Sequence, residues 1–400
     1  MPHHAQLARR NLFNRVKPSY LVLLALIPLF IYLYIFDPTY QAALRTILPG
    51  LGITIILTFT GYLLAFIWGL SLAGLQFLKR HETTVRNFLA SSLLLTLSGL
   101  GLLLLPQQGY VLIGEAEGTV GILSGTPRAL SDAVRQGTYA EGAPTRQFRS
   151  VASAELALER IAAGVYTGAL LPIEAAPADA VVLWETSVMP TGRRNLMLLL
   201  SSVGIFLLLL TFGSWQSREH PLAIFAELYI DIVRGIPMIV LIVFIGLVLP
   251  GVLGDFRLEP TNETLRNLQR GTLAIGFAYA AYMAEIFRAG IRAVPQGQIE
   301  AARSLGLSGW QTVRFIILPQ ALKIVIPPLG NEFIAMLKDT ALVSYVGTGE
   351  IFRLARQFGA ATLNNIPPFQ TAAILYIILT IGASSILKWL ERRTGVSDKR

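Results

Sequence analysis

Four polar side chains, Asn331, Glu332, Lys338 and Asp339, stand inside an otherwise apolar run from Ile324 to Val346. Ionisable groups are costly in such a run and usually face a cavity or a partner. At helical spacing Asn331 and Lys338 share one face, and Glu332 and Asp339 share another, each pair two turns apart. Together they can supply a cation for a carboxylate and an anion for an ammonium, the two requirements of a zwitterionic ligand. For Lys338 and Asp339 the alternative is solvation at the outer end of the run, whereas Glu332 lies several turns deeper. Arg234, ahead of Gly235 and Pro237, stands at a break in a second apolar run, where the backbone is either kinked or opened to a path. Glu285 and Arg288, one turn apart in a third, are expected to pair with each other.

A different constellation, QIEAARSLGLSGWQTVRFIILP from Gln298 to Pro319, is too polar to cross lipid. Pro295 and Gly297 stop what precedes it. Glu300 to Leu305 then reads as a short helix with Ala301, Ala302 and Leu305 on one side, closed by Gly306. Ser308 and Gln311 form a capping box for a second helix, on which Trp310, Val313 and Ile317 fall on one face. The segment is a compact elbow with apolar and basic surface, held where a membrane meets water.

The elements that must position these groups are membrane spans. Of the 400 residues 53% are hydrophobic and only 14% charged, and the mean hydropathy is +0.57. A net charge of +9 does not indicate nucleic acid, because the arginines cluster beside the apolar runs rather than in aromatic-interleaved patches. The absence of cysteine excludes disulfides and thiolate metal sites. A span needs about 20 mostly apolar residues. About eight are expected, near Ser19 to Phe36, Leu51 to Phe77, Phe88 to Leu105, Asn195 to Trp215, Leu222 to Leu249, Gly271 to Gly290, Ile324 to Val346 and Phe369 to Leu390. Arg9, Arg10, Arg15 and Lys17 hold the N-terminus in the cytoplasm. An even number of spans returns the basic C-terminus there, and the Val252 to Arg270 loop falls outside.

Pro106 to Arg194 is the sizeable water-soluble region and, on this topology, is external. Strands at Thr119 to Leu123, Gln147 to Ser150 and Gly168 to Pro172 alternate with helices at Ala129 to Arg135 and Ala154 to Ala163, which argues for a small α/β unit with a partly parallel sheet. Gly125, Thr126 and Arg128 can receive a carboxylate at a helix N-terminus, or form an ordinary strand-to-helix turn. The order VGILSGTPRALSDAV followed by RQFRSVASAELALERIAAGVYTGALLP resembles one lobe of the periplasmic solute-binding proteins. One lobe cannot close around a ligand, so tight binding by the insert alone is not expected. The resulting division is 1–105, N-terminal spans with the first core helix; 106–194, the insert; 195–221, an extra span and link; and 222–400, the core, with the elbow at 298–319.

Three stretches, FAELYIDIVRGIPMIVLIVFIGLVLP, AYAAYMAEIFRAGIRAVPQGQIEAARSLGLSGWQTVRFIILPQAL and IPPLGNEFIAMLKDTALVSYVGTGE, strongly resemble permease subunits of ABC importers for polar amino acids, the histidine, glutamine and arginine type. The resemblance covers nearly all of Leu222 to Arg392 and, more faintly, Leu51 to Arg80. It implies an α-helical polytopic membrane protein of the type I ABC importer fold in the bacterial inner membrane, working by alternating access. Glu300, Ala301, Ala302, Gly306, Leu318 and Pro319 become the coupling loop, seated in a groove of a cytoplasmic ATPase. Asn331, Glu332, Lys338, Asp339 and Arg234 become substrate-path residues. Implied partners are ABC ATPase subunits, a second permease of the same or a related kind, a periplasmic or lipid-anchored solute-binding protein and the amino acid itself. No G-x-x-x-x-G-K-[ST] loop occurs in the chain, so ATP and Mg belong to the partner and this chain binds no cofactor. A secondary transporter or a receptor with an external sensor are the rival classes, but inverted-repeat halves are not evident and nothing resembling a kinase or cyclase follows the insert.

Overall fold

The computed structural model describes residues 28, 31–250 and 262–393, the side chains of 392 and 393 excepted. The span expected at Ser19 to Phe36 lies outside the described residues apart from 28 and a helical stretch over 31–36, and so does much of the Val252 to Arg270 loop. The chain divides into two units: residues up to Leu78 together with those from Leu222 onward, and Lys79–Pro221.

In the first unit, α1 (Pro38–Gln76) starts at Asp37, whose carboxylate accepts the Thr39 N–H at 2.8 Å, with Pro38 pre-set for the first turn. The chain next enters this unit at α6 (Pro221–Gly235), which breaks at Ile236–Pro237 before α7 (Met238–Val243) and a π-helical turn over Phe244–Val248, bending by 112°. Proline explains the break, since it offers no N–H and disfavours helical geometry in the residue before it. Asn262 caps α8 (Glu263–Arg292), which runs against α1 along a stripe of small residues. Ala274, Ala278, Ala280, Ala281 and Ala284 are fully buried, and a Cβ on Gly69 of α1 would come within 2.8 Å of the Ala280 carbonyl. Small side chains thus let the two backbones approach closely where no hydrophobic force distinguishes protein from lipid. The elbow helices α9 (Gln296–Ser304) and α10 (Gly309–Thr312) follow, then α11 (Leu318–Asp339), a 3-10 segment over Thr340–Val346, α12 (Ile351–Thr362) and α13 (Ile366–Arg393).

Among the described residues five helices are long and apolar enough to cross a membrane, or six with the bent α6–α7 pair as one. The expectation was eight. Ser19 to Phe36 accounts for one of the two missing, and α8 for the other: it carries Arg266, Arg270, Glu285, Arg288 and Arg292, and alanine makes it less hydropathic than its burial implies.

The second unit is a helix pair carrying an α/β insert. Helices α2 (Glu82–Gly101) and α5 (Thr191–Ser217) pack through Gly99 and Gly204, where a Cβ would press on Ser201 and Thr96. Between them lie β1 (Gln108–Gly114), β2 (Thr119–Leu123), α3 (Arg128–Gln136), β3 (Gln147–Val151), α4 (Ala154–Ala162), β4 (Gly168–Pro172) and β5 (Val182–Val188). The sheet order is β3-β2-β4-β1-β5, with β2 parallel to β3 and β4 and with β1 antiparallel to β4 and β5. The three expected strands and two expected helices are present. Strands β1 and β5 lie inside the expected insert but were not anticipated as strands. Leu112, Val120, Ile122 and Leu170 pack with Leu130 and Val134 of α3, while Val111, Ile113, Ala169 and Leu171 pack with Ala157 of α4, so helices cover both faces. The sequence division at 105/106 and 194/195 falls inside this unit, whose helices and sheet are joined by hydrogen bonds from Ser187 to Gln107 and from Arg193 to the Pro106 carbonyl.

Candidate functional site

The elbow is built by local hydrogen bonding. Pro295 precedes α9, so the helix begins at Gln296 and takes in Gly297, four residues ahead of the expected start at Glu300. Its far end closes through the Gly306 N–H to the Arg303 carbonyl at 2.9 Å and the Leu307 N–H to the Ala302 carbonyl at 3.1 Å, the paired bonds that require a left-handed residue. Gly306 supplies it, with φ +80°. The capping box is present: Gln311 N–H to Ser308 Oγ at 3.3 Å, and Ser308 N–H to Gln311 Oε1 at 2.8 Å. A bond of 2.6 Å from Gln320 Nε2 to Gln298 Oε1 ties the elbow to α11. Ala302 is buried inside the corner, whereas Glu300 and Ala301 face outward. Leu305 is 81% exposed, Trp310 71% and Phe315 61%, and Leu318 and Pro319 are exposed as well, leaving an apolar knob rimmed by Glu300, Arg303 and Arg314. Val313–Ile317 form a π-helical turn just before Pro319, which has no N–H to offer the turn behind it.

From Gly309 to Val346 the helical chain is continuous for 38 residues, so α11 carries the elbow's orientation directly to the charged residues. It separates the two expected faces. Asn331 and Lys338 are exposed, while Glu332 and Asp339 are half-buried. The Tyr279 hydroxyl of α8 donates to Asp339 Oδ2 at 2.7 Å. Tyr62 of α1 donates to the Leu329 carbonyl at 3.0 Å and sets its ring edge-on to Phe333, 5.2 Å between centroids. Glu332 is close enough to Asp339 and to both tyrosines to interact with them electrostatically. Among the described residues no lysine or arginine nitrogen lies within 4 Å of either carboxylate. The pair is therefore a patch of two carboxyl groups, one of them held by the Tyr279 phenol, without its own counter-ion.

Arg234 joins this wall from the other end. It sits at the break between α6 and α7 as expected, but its guanidinium pairs with Glu285 at 2.9 Å, and Arg288 approaches Glu227 at 3.8 Å. The expected Glu285–Arg288 pair within one helix is thus replaced by two pairs across to α6. Arg234 also lies 6.0 Å from the Tyr282 ring centre, and Tyr282 lies 5.9 Å from Tyr279, so ring contacts run from the broken span to Asp339. In the insert, Gly125 takes φ +99° and the Thr126 N–H returns to the Leu123 carbonyl, so the Gly125–Arg128 stretch is a hydrogen-bonded strand-to-helix turn.

Sequence reasoning missed three residues here. Tyr62 and Tyr279 are hydroxyls hidden in apolar runs. Glu350 lies between the 3-10 segment and α12, outside the spanning helices, and is fully buried. Its carboxylate caps α12, accepting the Phe352 N–H at 2.7 Å, the Arg353 N–H at 2.6 Å and the Tyr376 hydroxyl at 2.7 Å. The close approach of α1 makes room for it, since a Cβ on Gly50 would stand 2.9 Å from the Glu350 carbonyl carbon. Burial pushes the Glu350 carboxyl up to about 7 from 4.5, opposed in part by Tyr376, the two backbone donors and Arg353. Because the folded-state value lies above the unfolded one, this stability contribution is complete below the unfolded pKa and is lost as pH rises through about 7. Thermal unfolding of the solubilised protein should show its midpoint falling between about pH 5 and pH 8, with a flatter slope in Glu350→Gln. Equal slopes in the two proteins would place the titration elsewhere.

A family profile described as "Binding-protein-dependent transport system inner membrane component" matches residues 198–396. The glutamine transport system permease protein GlnP of Escherichia coli K12 is 35% identical over 186 residues, covering 46% of this chain and 80% of that protein. The arginine transport system permease protein ArtQ of Bacillus subtilis 168 is 34% identical over 182 residues, covering 46% and 80%. A solved amino acid ABC transporter with histidines shares 36% identity, covering 48% of this chain and 86% of that one with a TM-score of 0.39.

Proposed function

The chain belongs to the family of binding-protein-dependent transport system inner membrane components, and from that premise we propose that Glu332 and Asp339 receive the positively charged group of an amino acid while the Gly306 elbow transmits the ATPase stroke to them. The protein is the multi-pass membrane permease subunit of an ABC importer for amino acids, and hydrolysis belongs to a separate ATPase subunit. The observation that carries the assignment of roles is the unbroken helical run from Gly309 to Val346. Its near end is the exposed knob of Leu305, Trp310 and Phe315, and the carboxylates lacking a counter-ion lie toward its far end. A continuous helical element joining the two sites turns closure of two ATPases into a tilt of the ligand-facing surface, a population shift between accessible states.

Glu300 offers an acceptor to basic or amide groups of the ATPase, and Leu318 and Pro319 seat the knob. Arg234, through Glu285 and Tyr282, lines the broken span beside the path. Asn331 and Lys338 belong to an exposed face and meet the ligand only if the path widens around α11. Two permease subunits, identical or related, enclose the path. A solute-binding protein delivers the ligand from outside, where the insert lies, and both termini are cytoplasmic. ATP and Mg act on the partner.

Reconstitution with a candidate ATPase and a panel of labelled amino acids, with and without a candidate binding protein, tests this reading. ATP-dependent uptake is expected; uptake driven by an ion gradient alone would make the chain a secondary transporter instead. The insert serves delivery rather than tight ligand binding. Replacing Glu115 to Glu185 by a flexible linker leaves Gly114 and Thr186 to be joined; Thr186 pairs with Tyr110, four residues back along β1, so the linker has only that length of strand to span. That variant should still co-purify with the ATPase while needing more binding protein for half-maximal uptake. An unchanged requirement would remove the insert from delivery.

A further inference from the structure

We propose that a cavity beside α12 is an outer subsite for the carboxylate of a free amino acid, filled before the ammonium reaches Glu332 and Asp339, an inference that rests on the importer reading above. The cavity, about 710 Å³, has the size of a small-molecule site and is lined by Ser344, Tyr345, Arg353, Arg356, Gln357 and Asn365, among others. Arg353 and Arg356 are one turn apart and project to the same side of α12. Arg353 donates to the Ser344 carbonyl at 3.3 Å, and its charge faces Glu350, which offsets it. Arg356 has no carboxylate within 4 Å among the described residues; its guanidinium stacks 4.9 Å from the Tyr345 ring centre, which holds the planar fork while leaving its N–H edge free. Such a fork matches a carboxylate with two parallel hydrogen bonds. Ser344 is only 3% exposed and its hydroxyl has no hydrogen-bond partner, so the wall beside Arg356 holds an unpaired polar group just beneath its surface.

Position gives the subsite its order of use. The 22 residues of α11 span about 33 Å from the elbow, and the cavity lies past their far end, away from the ATPase contact. From Asp339 to Ser344 the 3-10 segment advances about 10 Å. A ligand arriving from the side opposite the ATPase therefore meets the arginine first and the two carboxylates next. A zwitterion satisfies both in turn.

The test uses the whole complex in proteoliposomes and two ligand pairs that differ only in the carboxylate: L-arginine with agmatine, and L-glutamine with 4-aminobutanamide. Arg356→Gln should raise the half-saturating concentration of the transported amino acid about tenfold and leave that of its decarboxylated partner in place. Arg356→Lys should give an intermediate rise, and Gln357→Ala a smaller one in the same direction. An equal change for the amino acid and its decarboxylated partner overturns the subsite. So does an effect confined to the affinity of the binding protein for the complex, which would make the groove a protein-docking surface. Uptake by the parent protein with Arg356→Gln unaltered sinks the subsite alone, whereas no ATP-dependent uptake of any amino acid by the parent sinks the importer reading beneath it.

Discussion

Gly306→Val is expected to uncouple the permease from its ATPase. Gly306 sits at φ +80°, and a Cβ there would meet open space, so the damage comes from backbone conformation and not from crowding. A β-branched residue in the left-handed region costs about 1–3 kcal/mol, enough to release the corner that positions Trp310 and Leu305. Association with the ATPase, followed by co-purification and by stimulated hydrolysis, should weaken about tenfold or more. Asparagine tolerates the same backbone region, so Gly306→Asn should retain most coupling. A Gly306→Val protein that co-purifies and transports at the parent rate would end the coupling assignment, and equal losses in valine and asparagine variants would point to a side-chain clash with the ATPase instead.

The second large effect concerns ligand choice. Glu332 and Asp339 form a carboxylate pair with no cation of their own, so Glu332→Gln removes half of the charge that a cationic ligand meets. A charge-assisted hydrogen bond is worth about 1.5–3 kcal/mol; glutamine brings only its ammonium to the pair whereas arginine brings a guanidinium as well, so the ratio of half-saturating concentrations for arginine over glutamine should rise about tenfold or more. Asp339→Asn should shift the ratio the same way while keeping an acceptor for Tyr279. A substrate profile identical to the parent would return Glu332 to a structural role. The two experiments are independent, since one reads association with the ATPase and the other reads ligand preference.

The features legible before the structure share one property. Ser308 and Gln311 are three residues apart, Gly306 closes a helix only a few residues long, and Glu332 and Asp339 are two turns apart; each relation spans less than ten residues. The insert's parallel strands were legible through their short β-rich runs and amphipathic helices, whereas β1 and β5, inside the expected insert, were not read as strands. Tyr279 to Asp339 joins residues 60 apart in sequence and Tyr62 to Leu329 joins residues 267 apart, and no periodicity reports such pairs. The same distance rule explains the failed Glu285–Arg288 expectation. One-turn spacing made a pair geometrically available, but Arg234 and Glu227 on α6 offered better placed partners across the helix interface.

By itself, then, the sequence determined the membrane class, the elbow with its capping box and glycine corner, and the face on which Glu332 and Asp339 stand. These follow from hydropathy, local hydrogen bonding and the helical repeat, all of which act within one element. Only the tertiary structure decided that the small-residue face of α8 makes it a central helix despite its charges, that Arg234 pairs with Glu285, that Glu350 is a buried cap shared by α12 and α13, and that Ser344 and Arg356 line one cavity. Those outcomes depend on which backbones can approach one another and on which buried polar groups find partners, and both are settled only when distant segments pack.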